Sequence, residues 1–522
     1  MQVHVVGDDP VREAVVTALD DVDVGVREAE PAALTDARFA VVSDVAGSAT
    51  FDRANEAART GGTPWIAVEI GGVGGHPMPG VDAAITGFAP ATGCFNCLRA
   101  RVASNVEERA DGPQADRSEA RFAGAVAAGS ACASSRATSD RSWQVLEVPH
   151  ARRRLLPVPG CECAEDGRDR SLDRDAASLA LDAAVDRAEG AIDDRVGPIT
   201  SIGEIESFPA PYYLSTVADT AAYSDASAPR QAAGVATDWN AALMKAVGEG
   251  LERYCAGVYR EADFVRTSEA TLENAVVPTD FVRPADAPAD DGSDDRRWVP
   301  GEDLVTGETA HLPAAAVQFP QPGASLLPAI TTGLGLGSST VDALLSGLTE
   351  VIERDATMLA WYSTFDPLGL SVETDAFDAL ERRARSEGLS VTPLLVTQDI
   401  DVPVVAVAVH RDPDALEGRE VEADDDSWPA FAVGSAAGLD AAAAAASALE
   451  EALQNWMELR SLGPADATMP AGRSASTPRS RNRRRRSSTP SGRFRRRASA
   501  PIPCRPAATD SRRCVRGRPT SG

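Results

Sequence analysis

The sequence predicts an amino-terminal α/β domain of Rossmann-like topology, a second domain of long helices and adjacent strands, and an arginine-rich tail. Three observations predict this organisation. Strand and helix patterns alternate in residues 1–165, carboxylate pairs recur on apolar helices in residues 180–468, and the composition changes abruptly at Met469. A chain of 522 residues is long enough for two or three domains that each bury a core.

The first domain is predicted from strand and helix patterns that follow one another. The strand patterns are MQVHVVG, DVDVGVREA, RFAVVSDV and TPWIAVEIGG, and the helix patterns are DPVREAVVTAL and ATFDRANEAARTGG. Because such alternation is typical of a parallel sheet, we predict one over residues 1–165. The turn VVGDDPV after the first strand lacks the G-x-G-x-x-G pattern, so nucleotide binding is not predicted there.

Four cysteines of this domain occur as a C-x-x-C pair and a C-x-C pair, at Cys94, Cys97, Cys161 and Cys163. Four thiolates can complete a tetrahedral structural zinc site. Free buried thiols or a redox pair are the alternatives, since structural disulfides are disfavoured in a reducing cytoplasm. Cys132 and Cys255 stand alone and are expected to be buried apolar groups.

The second domain is organised around residues 331–362, where a glycine-rich turn leads into a long helix with apolar residues at helical spacing. This helix and two others carry acceptor groups three residues apart, at Glu249 and Glu252, Glu350 and Glu353, and Glu451 and Gln454. One such pair is ordinary on a solvated helix face. Their recurrence on apolar helices favours a shared site for a divalent metal and a polyphosphate, because hard oxygen ligands suit Mg²⁺. SVTPLLVTQDI and VPVVAVAVHR are predicted to be adjacent strands, with His410 at a strand end.

Three segments resemble the ATP-site helices of the YcaO family, in the family's order. They are AALMKAVGEGLERYCAG (241–257), GLGSSTVDALLSGLTEVIERDA (335–356) and AAGLDAAAAAASALEEALQ (436–454). The resemblance implies an α+β, ATP-binding YcaO-like domain over 180–468 that activates peptide backbone amides. In the family a thiol, hydroxyl or sulfide adds to the carbonyl, ATP phosphorylates the oxyanion, and phosphate leaves, which gives an azoline or a thioamide.

By position, the resemblance implies that ATP and Mg²⁺ are bound by Lys245, Glu249, Glu252, Ser338, Asp342, Glu350, Glu353, Arg354, Glu451 and Gln454. The chain departs from the family where Ser338 replaces Asn and Asp342 replaces Glu or Gln. It also has Val235 in place of Lys and Ser447 in place of Arg. Because two missing cations weaken charge neutralisation at a phosphoryl group, a second hypothesis is a non-catalytic scaffold or accessory protein for peptide or ribosomal-protein modification.

An α/β domain with paired cysteines ahead of a YcaO-like domain resembles the E1-like partner that is fused to azoline-forming cyclodehydratases. In that family the partner presents a precursor peptide and its zinc is structural. The resemblance therefore implies ATP, Mg²⁺ and structural Zn²⁺ as cofactors, with a precursor peptide or protein as substrate. A homodimer is a further expectation.

The charge composition is unusual, with a formal net charge of −27 and Lys245 as the single lysine. Such acidity fits a haloarchaeal-type protein that stays dissolved in high intracellular salt. A GC-rich genome would explain the preference for Arg over Lys but not the acidity. No apolar run is long enough to span a membrane and the start lacks a basic signal-peptide region, so cytoplasmic residence and no membrane partner are expected.

The tail, residues 469–522, contains 16 Arg and a single acidic residue, Asp510. Such a segment cannot bury a core and is predicted to be disordered. One hypothesis is an arginine tail that binds nucleic acid. The favoured one is a frame change in a GC-rich gene, since phosphate binding by Arg weakens steeply at high salt. Nucleic acid is therefore not expected as a partner.

Overall fold

The structure, a computed structural model, describes residues 2–90, 92–106, 110–134, 144–149, 151–163, 172–175, 177–282, 296–323, 330–364, 366–397, 399–412, 428–467 and 513–516. The chain packs into two compact units. The first comprises Met1–Ile205, Tyr213–Gly234 and Asn240–Gly347, and the second comprises Glu206–Tyr212, Val235–Trp239 and Leu348–Gly522.

A mixed seven-stranded sheet with the order β2-β1-β3-β4-β7-β8-β9 forms the centre of the first unit. Its strands are β1 (Gln2–Val6), β2 (Gly25–Glu28), β3 (Ala40–Val45), β4 (Trp65–Ile70), β7 (Ala83–Phe88), β8 (Gln144–Val148) and β9 (Ala151–Arg154). β1 to β4 pair in parallel, which confirms the predicted parallel pairing for these strands. β7, β8 and β9 join antiparallel, so the sheet as a whole is mixed. No helix separates β4 from β7, only the small hairpin β5 (Gly72–Val73) and β6 (His76–Pro77), and a short connection of this kind returns the chain antiparallel.

Helices cover both faces of this sheet, because each carries an apolar stripe. They are α1 (Val11–Asp20), α2 (Ala49–Gly61), α3 (Phe95–Asn105) and α4 (Arg117–Ser134). α2 and α3 bury Phe51 and Phe95 in a cluster with Trp65, whereas α1 and α4 bury Leu19 and Ala123 in a second cluster. Ser48 caps α2 by accepting a hydrogen bond from the backbone N–H of Thr50.

The rest of the first unit contains two small sheets, further helices and the first residues of one long helix. After α5 (Leu181–Glu189), the strands β10 (Ile199–Glu206), β11 (Tyr212–Val217) and β12 (Gln231–Val235) form one sheet and are followed by α6 (Trp239–Ala256). β13 (Val265–Thr267), β14 (Arg296–Glu302) and β15 (Thr309–Pro313) form the other, followed by α7 (Ala314–Val317). The predicted glycine-rich turn leads into α8 (Thr340–Tyr362), which begins in the first unit and ends in the second.

The second unit contains a five-stranded sheet with the order β19-β18-β17-β16-β20. Its elements are β16 (Leu368–Glu373), α9 (Asp375–Ser386), β17 (Ser390–Leu395), β18 (Val404–His410), β19 (Phe431–Ala437), α10 (Ala441–Ala467) and β20 (Arg513–Arg516). β17 and β18 are antiparallel neighbours and His410 ends β18, which confirms both predictions. α10 places Leu449, Leu453 and Trp456 in the core, fully buried.

Two local expectations differ from the structure. β20 pairs in parallel with β16, so disorder does not describe Arg513–Arg516, while the other residues of the predicted tail lie outside the described part. Cys255 is exposed rather than buried, because it lies on the solvent side of α6, and the Cys132 side chain lies outside the described residues. No helix among the described residues has the length and apolar character needed to cross a bilayer.

Candidate nucleotide and metal sites

Two strand–helix pairs with the same local geometry carry predicted site carboxylates. β12 leads into α6 and β19 leads into α10, in each case through three connecting residues. A glycine in each strand permits close packing on its helix. A Cβ at Gly234 would lie 2.2 Å from the backbone nitrogen of Ala246, and one at Gly434 would lie 2.3 Å from that of Ala452. A larger residue at either position would push the strand off the helix.

Each strand also fixes a glutamate of the helix that follows it. The Ala233 N–H donates to Glu249 Oε2 at 2.9 Å, and the Ser435 N–H donates to Glu451 Oε2 at 2.7 Å. In both pairs the glutamate is 16 residues after the donor. A backbone donor stabilises the charged form of a carboxylate, so these two glutamates are held in place as acceptors.

Ser435 links two predicted site residues of the second unit. Its hydroxyl donates to Glu353 Oε1 of α8 at 2.6 Å, while its backbone binds Glu451 of α10. Burial raises the pKa of Glu353 to about 7, and the charges of Glu451 and Glu350 act in the same direction. A cation bound beside Glu353 would favour the charged form of its carboxyl group and so oppose the effect of burial.

The other predicted residues of the second unit differ in their surroundings. Gln454 donates from Nε2 to Glu458 Oε1 at 3.1 Å. Arg354 is exposed and forms no ion pair within the described ranges. At the positions that depart from the family pattern, Val235 is buried and Ser447 is exposed.

In the first unit, Glu249 is held on α6 by two neighbours. One carboxylate oxygen accepts from the Arg253 guanidinium, which also donates to the Gln231 carbonyl, and the other accepts from the Ala233 N–H. Lys245 is exposed and Glu252 half-buried on the same helix. α6 therefore presents one carboxylate in a fixed position and further charged groups near it.

Ser338 and Asp342, also in the first unit, lie where the loop enters α8 and are bonded to the segment before α5. The Ser338 hydroxyl donates to Asp342 Oδ2 at 2.6 Å and accepts from the Leu179 N–H at 3.0 Å. The Ser178 hydroxyl donates to Asp342 Oδ1 at 3.0 Å. Hydrogen bonds from Ser338 and then Ser178 hold the pKa of the Asp342 carboxyl below its ordinary value. Two residues predicted to contact a nucleotide thus already have partners from the chain itself.

The structure therefore groups the predicted site residues by unit. Glu350, Glu353 and Glu451 interact electrostatically in the second unit, and Ser338 bonds Asp342 in the first. The convergence of all three helices on one site stays a prediction. Sequence reasoning missed Ser435, since no sequence pattern reports which backbone N–H lies against a carboxylate.

The four predicted zinc ligands come together at the start of α3. Cys94 Sγ lies 4.0 Å from Cys97 Sγ and 3.7 Å from Cys161 Sγ, and Cys97 Sγ lies 3.4 Å from Cys163 Sγ. All four sulfurs lie within 4.8 Å of one another, and no other His, Cys, Asp or Glu cluster among the described residues is this close. A tetrahedral zinc with Zn–S bonds of about 2.3 Å requires sulfurs about 3.8 Å apart, so the cluster fits that ion.

The four thiols of the cluster differ in their pKa. The Val158 N–H donates to Cys97 Sγ at 3.3 Å. A hydrogen bond from Cys163 lowers the pKa of the Cys161 thiol to about 7, and contact with Cys161 holds the pKa of Cys94 below its ordinary value. Contact with Cys161 raises the pKa of Cys97 and of Cys163, so a bound cation would be needed to favour four thiolates. Cys97 is fully buried, in an apolar cluster that also contains Ile199 and Tyr254. A metal bound here would therefore connect the cysteine loops to the strands and helix that follow them.

A family model and a curated relative each match part of this chain. The family model described as YcaO cyclodehydratase, ATP- and Mg²⁺-binding, matches residues 233–516, more than half of the chain and including most of the arginine-rich segment. An uncharacterised protein of Methanothermobacter thermautotrophicus is 30% identical over 191 residues, which cover 34% of this chain and 48% of the relative. The chain thus matches about half the length of this curated relative.

Two solved structures share the fold over most of the chain. A heterocyclase in complex with substrate and cofactor aligns with a TM-score of 0.65 at 18% identity, covering 88% of this chain and 68% of its own. The heterocyclase TruD aligns with a TM-score of 0.54 at 16% identity, covering 88% and 67%. Because the family model matches more than half of the chain, the chain belongs to the YcaO cyclodehydratase family, which is described as ATP- and Mg²⁺-binding.

Proposed function

We propose that this protein uses ATP to activate backbone amides of a ribosomally made peptide or of a protein, forming an azoline or a thioamide. The observation that carries the proposal is Ser435, which holds Glu353 and Glu451 together from two predicted ATP-site helices. Membership of an ATP- and Mg²⁺-binding family supports it.

In the proposed reaction, a nucleophile adds to the amide carbonyl, and the γ-phosphoryl group of ATP is transferred to the resulting oxyanion. The C–O bond then breaks, so the amide oxygen leaves in inorganic phosphate and ADP is the second product. Mg²⁺ would neutralise phosphate charge, and the predicted carboxylates are hard oxygen donors that suit it. We assign Glu249, Glu252, Glu350, Glu353 and Glu451 to this role.

The remaining assigned residues would hold the nucleotide. Lys245 and Arg354 would offset charge on the phosphates, whereas Ser338, Asp342 and Gln454 would contact other parts of the nucleotide. The bonds that Ser338 and Asp342 make to Ser178 and Leu179 must then open or rearrange.

Phosphate release with a candidate peptide tests this function. We expect Glu353→Ala to lower the rate at least about 100-fold, because phosphoryl transfer depends on charge stabilisation. Glu373→Ala is the matched control, since Glu373 is an exposed acid of β16 in the same unit. Equal rates for wild type and Glu353→Ala would contradict the proposal.

The second candidate is a non-catalytic scaffold or accessory protein. Val235 and Ser447 favour it, because neither can supply the cation that the family pattern has at its position. Calorimetry with an ATP analogue separates the two functions. A scaffold need not bind the nucleotide, whereas the enzyme must.

We also propose that residues 1–165 form an E1-like, Rossmann-like domain with a structural zinc at the four cysteines, followed by a YcaO-like domain over 180–468. The parallel order β2-β1-β3-β4, with helices on both faces, supports the first assignment. Free cysteines support a reducing cytoplasm, and the charge of −27 supports a halophilic source. Metal analysis of the purified chain tests the zinc assignment.

We further infer that the chain forms a homodimer through α8. Six large hydrophobic side chains of this helix are at least 45% exposed, namely Leu345, Leu348, Val351, Leu359, Trp361 and Tyr362. Exposed apolar groups at this density are typical of interaction surfaces. Light scattering should give twice the chain mass, and Leu348→Glu with Leu359→Glu should give a monomer.

A further inference from the structure

A cavity of about 1260 Å³ lies beside the cysteine cluster in the first unit. One wall is a single face of α2, formed by Asp52, Asn55, Glu56 and Arg59 at helical spacing. The start of α3 forms the opposite wall, and Cys94 and Cys163 are part of the lining. We refer to this space as the α2–α3 cavity.

Two deeply buried side chains in this lining carry donors without a protein partner. Asn55 is 3% exposed and Trp65 is 2% exposed, and both line the cavity. Within the described ranges, neither Asn55 Nδ2 nor Trp65 Nε1 has a hydrogen-bond acceptor. Neither nitrogen is fully enclosed by protein atoms, so each borders open space.

The orientation of the Asn55 amide follows from its neighbour. Asn55 Oδ1 accepts the backbone N–H of Phe95 at 3.1 Å, and only the oxygen of the amide can accept. The NH₂ group of Asn55 must therefore point away from the Phe95 N–H. Because this NH₂ group borders open space, a carbonyl acceptor bound in the cavity would replace the water that the group otherwise binds.

The remaining walls limit the kind of ligand. Phe88, Pro90 and Pro157 provide apolar contact surface. The guanidinium groups of the lining already have partners, since Arg59 pairs with Glu162 at 2.9 Å and Arg99 pairs with Asp52 at 2.5 Å. Glu56 is exposed and forms no ion pair among the residues described. The cavity therefore offers neutral donors, apolar contacts and one free negative charge, which disfavours an anionic ligand.

We propose that the α2–α3 cavity binds an extended peptide segment whose backbone carbonyls accept hydrogen bonds from Asn55 Nδ2 and Trp65 Nε1. Neutral carbonyls match both donors, and the apolar walls suit peptide side chains. The volume exceeds the range of about 300–1,000 Å³ that is usual for small-molecule sites. A basic side chain or an amino terminus of the peptide would lie near Glu56. The identification of this peptide as the substrate rests on the proposed function. The proposal that the cavity binds a peptide does not depend on that function.

A displayed library of random peptides, selected on the full chain without ATP or Mg²⁺, tests the proposal. Asn55→Asp keeps the acceptor for Phe95 but removes the NH₂ donor. Trp65→Phe removes the indole N–H and keeps a ring against Phe88, whose centroid is 4.9 Å away. The control is Trp298→Phe, because Trp298 is fully buried and its Nε1 donates to the Thr267 carbonyl at 3.0 Å, away from the cavity.

We expect selected peptides to bind wild type and Trp298→Phe equally. Each cavity variant should bind them about tenfold more weakly, which is a loss of about 1.4 kcal/mol. Circular dichroism checks that the variants fold, and peptide-dependent protection of the α2 and β4 amides in wild type provides a second measurement. Selection of no peptide, or equal binding by all four proteins, would overturn the proposal.

The two proposals can fail separately. Peptide binding without phosphate release would leave the cavity assignment intact and contradict the enzyme. Phosphate release that both cavity variants retain at every peptide concentration would support the enzyme and contradict the cavity as its peptide site.

Discussion

The Ser435 hydroxyl donates to Glu353 at 2.6 Å, which joins strand β19 to helix α8 at a carboxyl group whose pKa is raised to about 7. Burial is the main cause, and the nearby charges of Glu350 and Glu451 add to it. The hydrogen bond from Ser435 opposes both by stabilising the charged form. If Glu353 binds a cation, as proposed, the bond from Ser435 would favour the charged form that this requires.

Replacing Ser435 by Ala should weaken Mg²⁺-dependent binding of an ATP analogue about tenfold. The change removes the donor that orients Glu353 but keeps the backbone N–H that binds Glu451. Loss of a group that orients a metal ligand typically costs 10- to 100-fold in affinity. Calorimetry measures the effect, with Ser371→Ala on exposed β16 as the control. Unchanged affinity would show that Ser435 has only a packing role.

Replacing Cys97 by Ser should remove one equivalent of zinc per chain and lower the melting temperature. Cys97 is fully buried and its sulfur accepts the Val158 N–H, so a polar hydroxyl there is poorly accommodated and binds zinc weakly. Atomic absorption and thermal unfolding measure the two effects. Cys255→Ser is the control, because Cys255 is exposed and outside the cluster. Equal zinc content in both variants would contradict the four-cysteine assignment.

Glu69 should make the stability of the first unit depend on pH. It is fully buried on β4, its carboxylate accepts from the N–H groups of Gly74 and Gly75 at 2.8 and 2.6 Å, and burial raises its pKa from 4.5 to about 7. The folded state therefore binds the proton more tightly than the unfolded state. Below pH 4.5, Glu69 therefore contributes about 3 kcal/mol to the free energy of unfolding. This contribution is lost as the pH rises to about 7.

Glu69→Gln should remove this part of the pH dependence, because the amide does not titrate. Denaturant unfolding at pH 5 and pH 7.5, compared between wild type and variant, measures it. Glu30→Gln is the control, since Glu30 is exposed. If wild type and Glu69→Gln lost the same stability between these two values, Glu69 would not be the titrating group.

Local patterns allowed the elements to be predicted, but not all of their pairings. Alternation of apolar residues identifies β1, β3 and β4, and the spacing of the cysteines anticipates their cluster. The antiparallel β7 could not be predicted, because its direction depends on a connection without a helix rather than on its own residues. Helical spacing also cannot show that Leu345 and Leu348 of α8 are nearly half exposed, since exposure depends on what packs against the helix.

The site residues that can be recognised from their side-chain type were predictable from the sequence. Glutamates three apart on apolar helices can be read directly from the sequence. The backbone donors of Ala233 and Ser435 cannot, because any residue has an N–H and only the fold brings it to a carboxylate. The bond between Ser178 and Asp342 joins residues 164 positions apart, and no local pattern reports such a contact.

Replacing Ser178 by Ala should strengthen binding of the Mg²⁺–ATP analogue by roughly two- to tenfold. If Asp342 and Ser338 contact the nucleotide, the bond from Ser178 must first open, and the need to open it lowers the observed affinity. Removing it leaves Asp342 available without changing the Ser338 hydroxyl. Calorimetry on Ser178→Ala, Asp342→Ala and the double variant separates two roles for Ser178. A gain in the single Ser178 variant that disappears when Asp342 is also absent identifies the bond as a competitor, whereas weaker binding by Ser178→Ala would make Ser178 part of the nucleotide site.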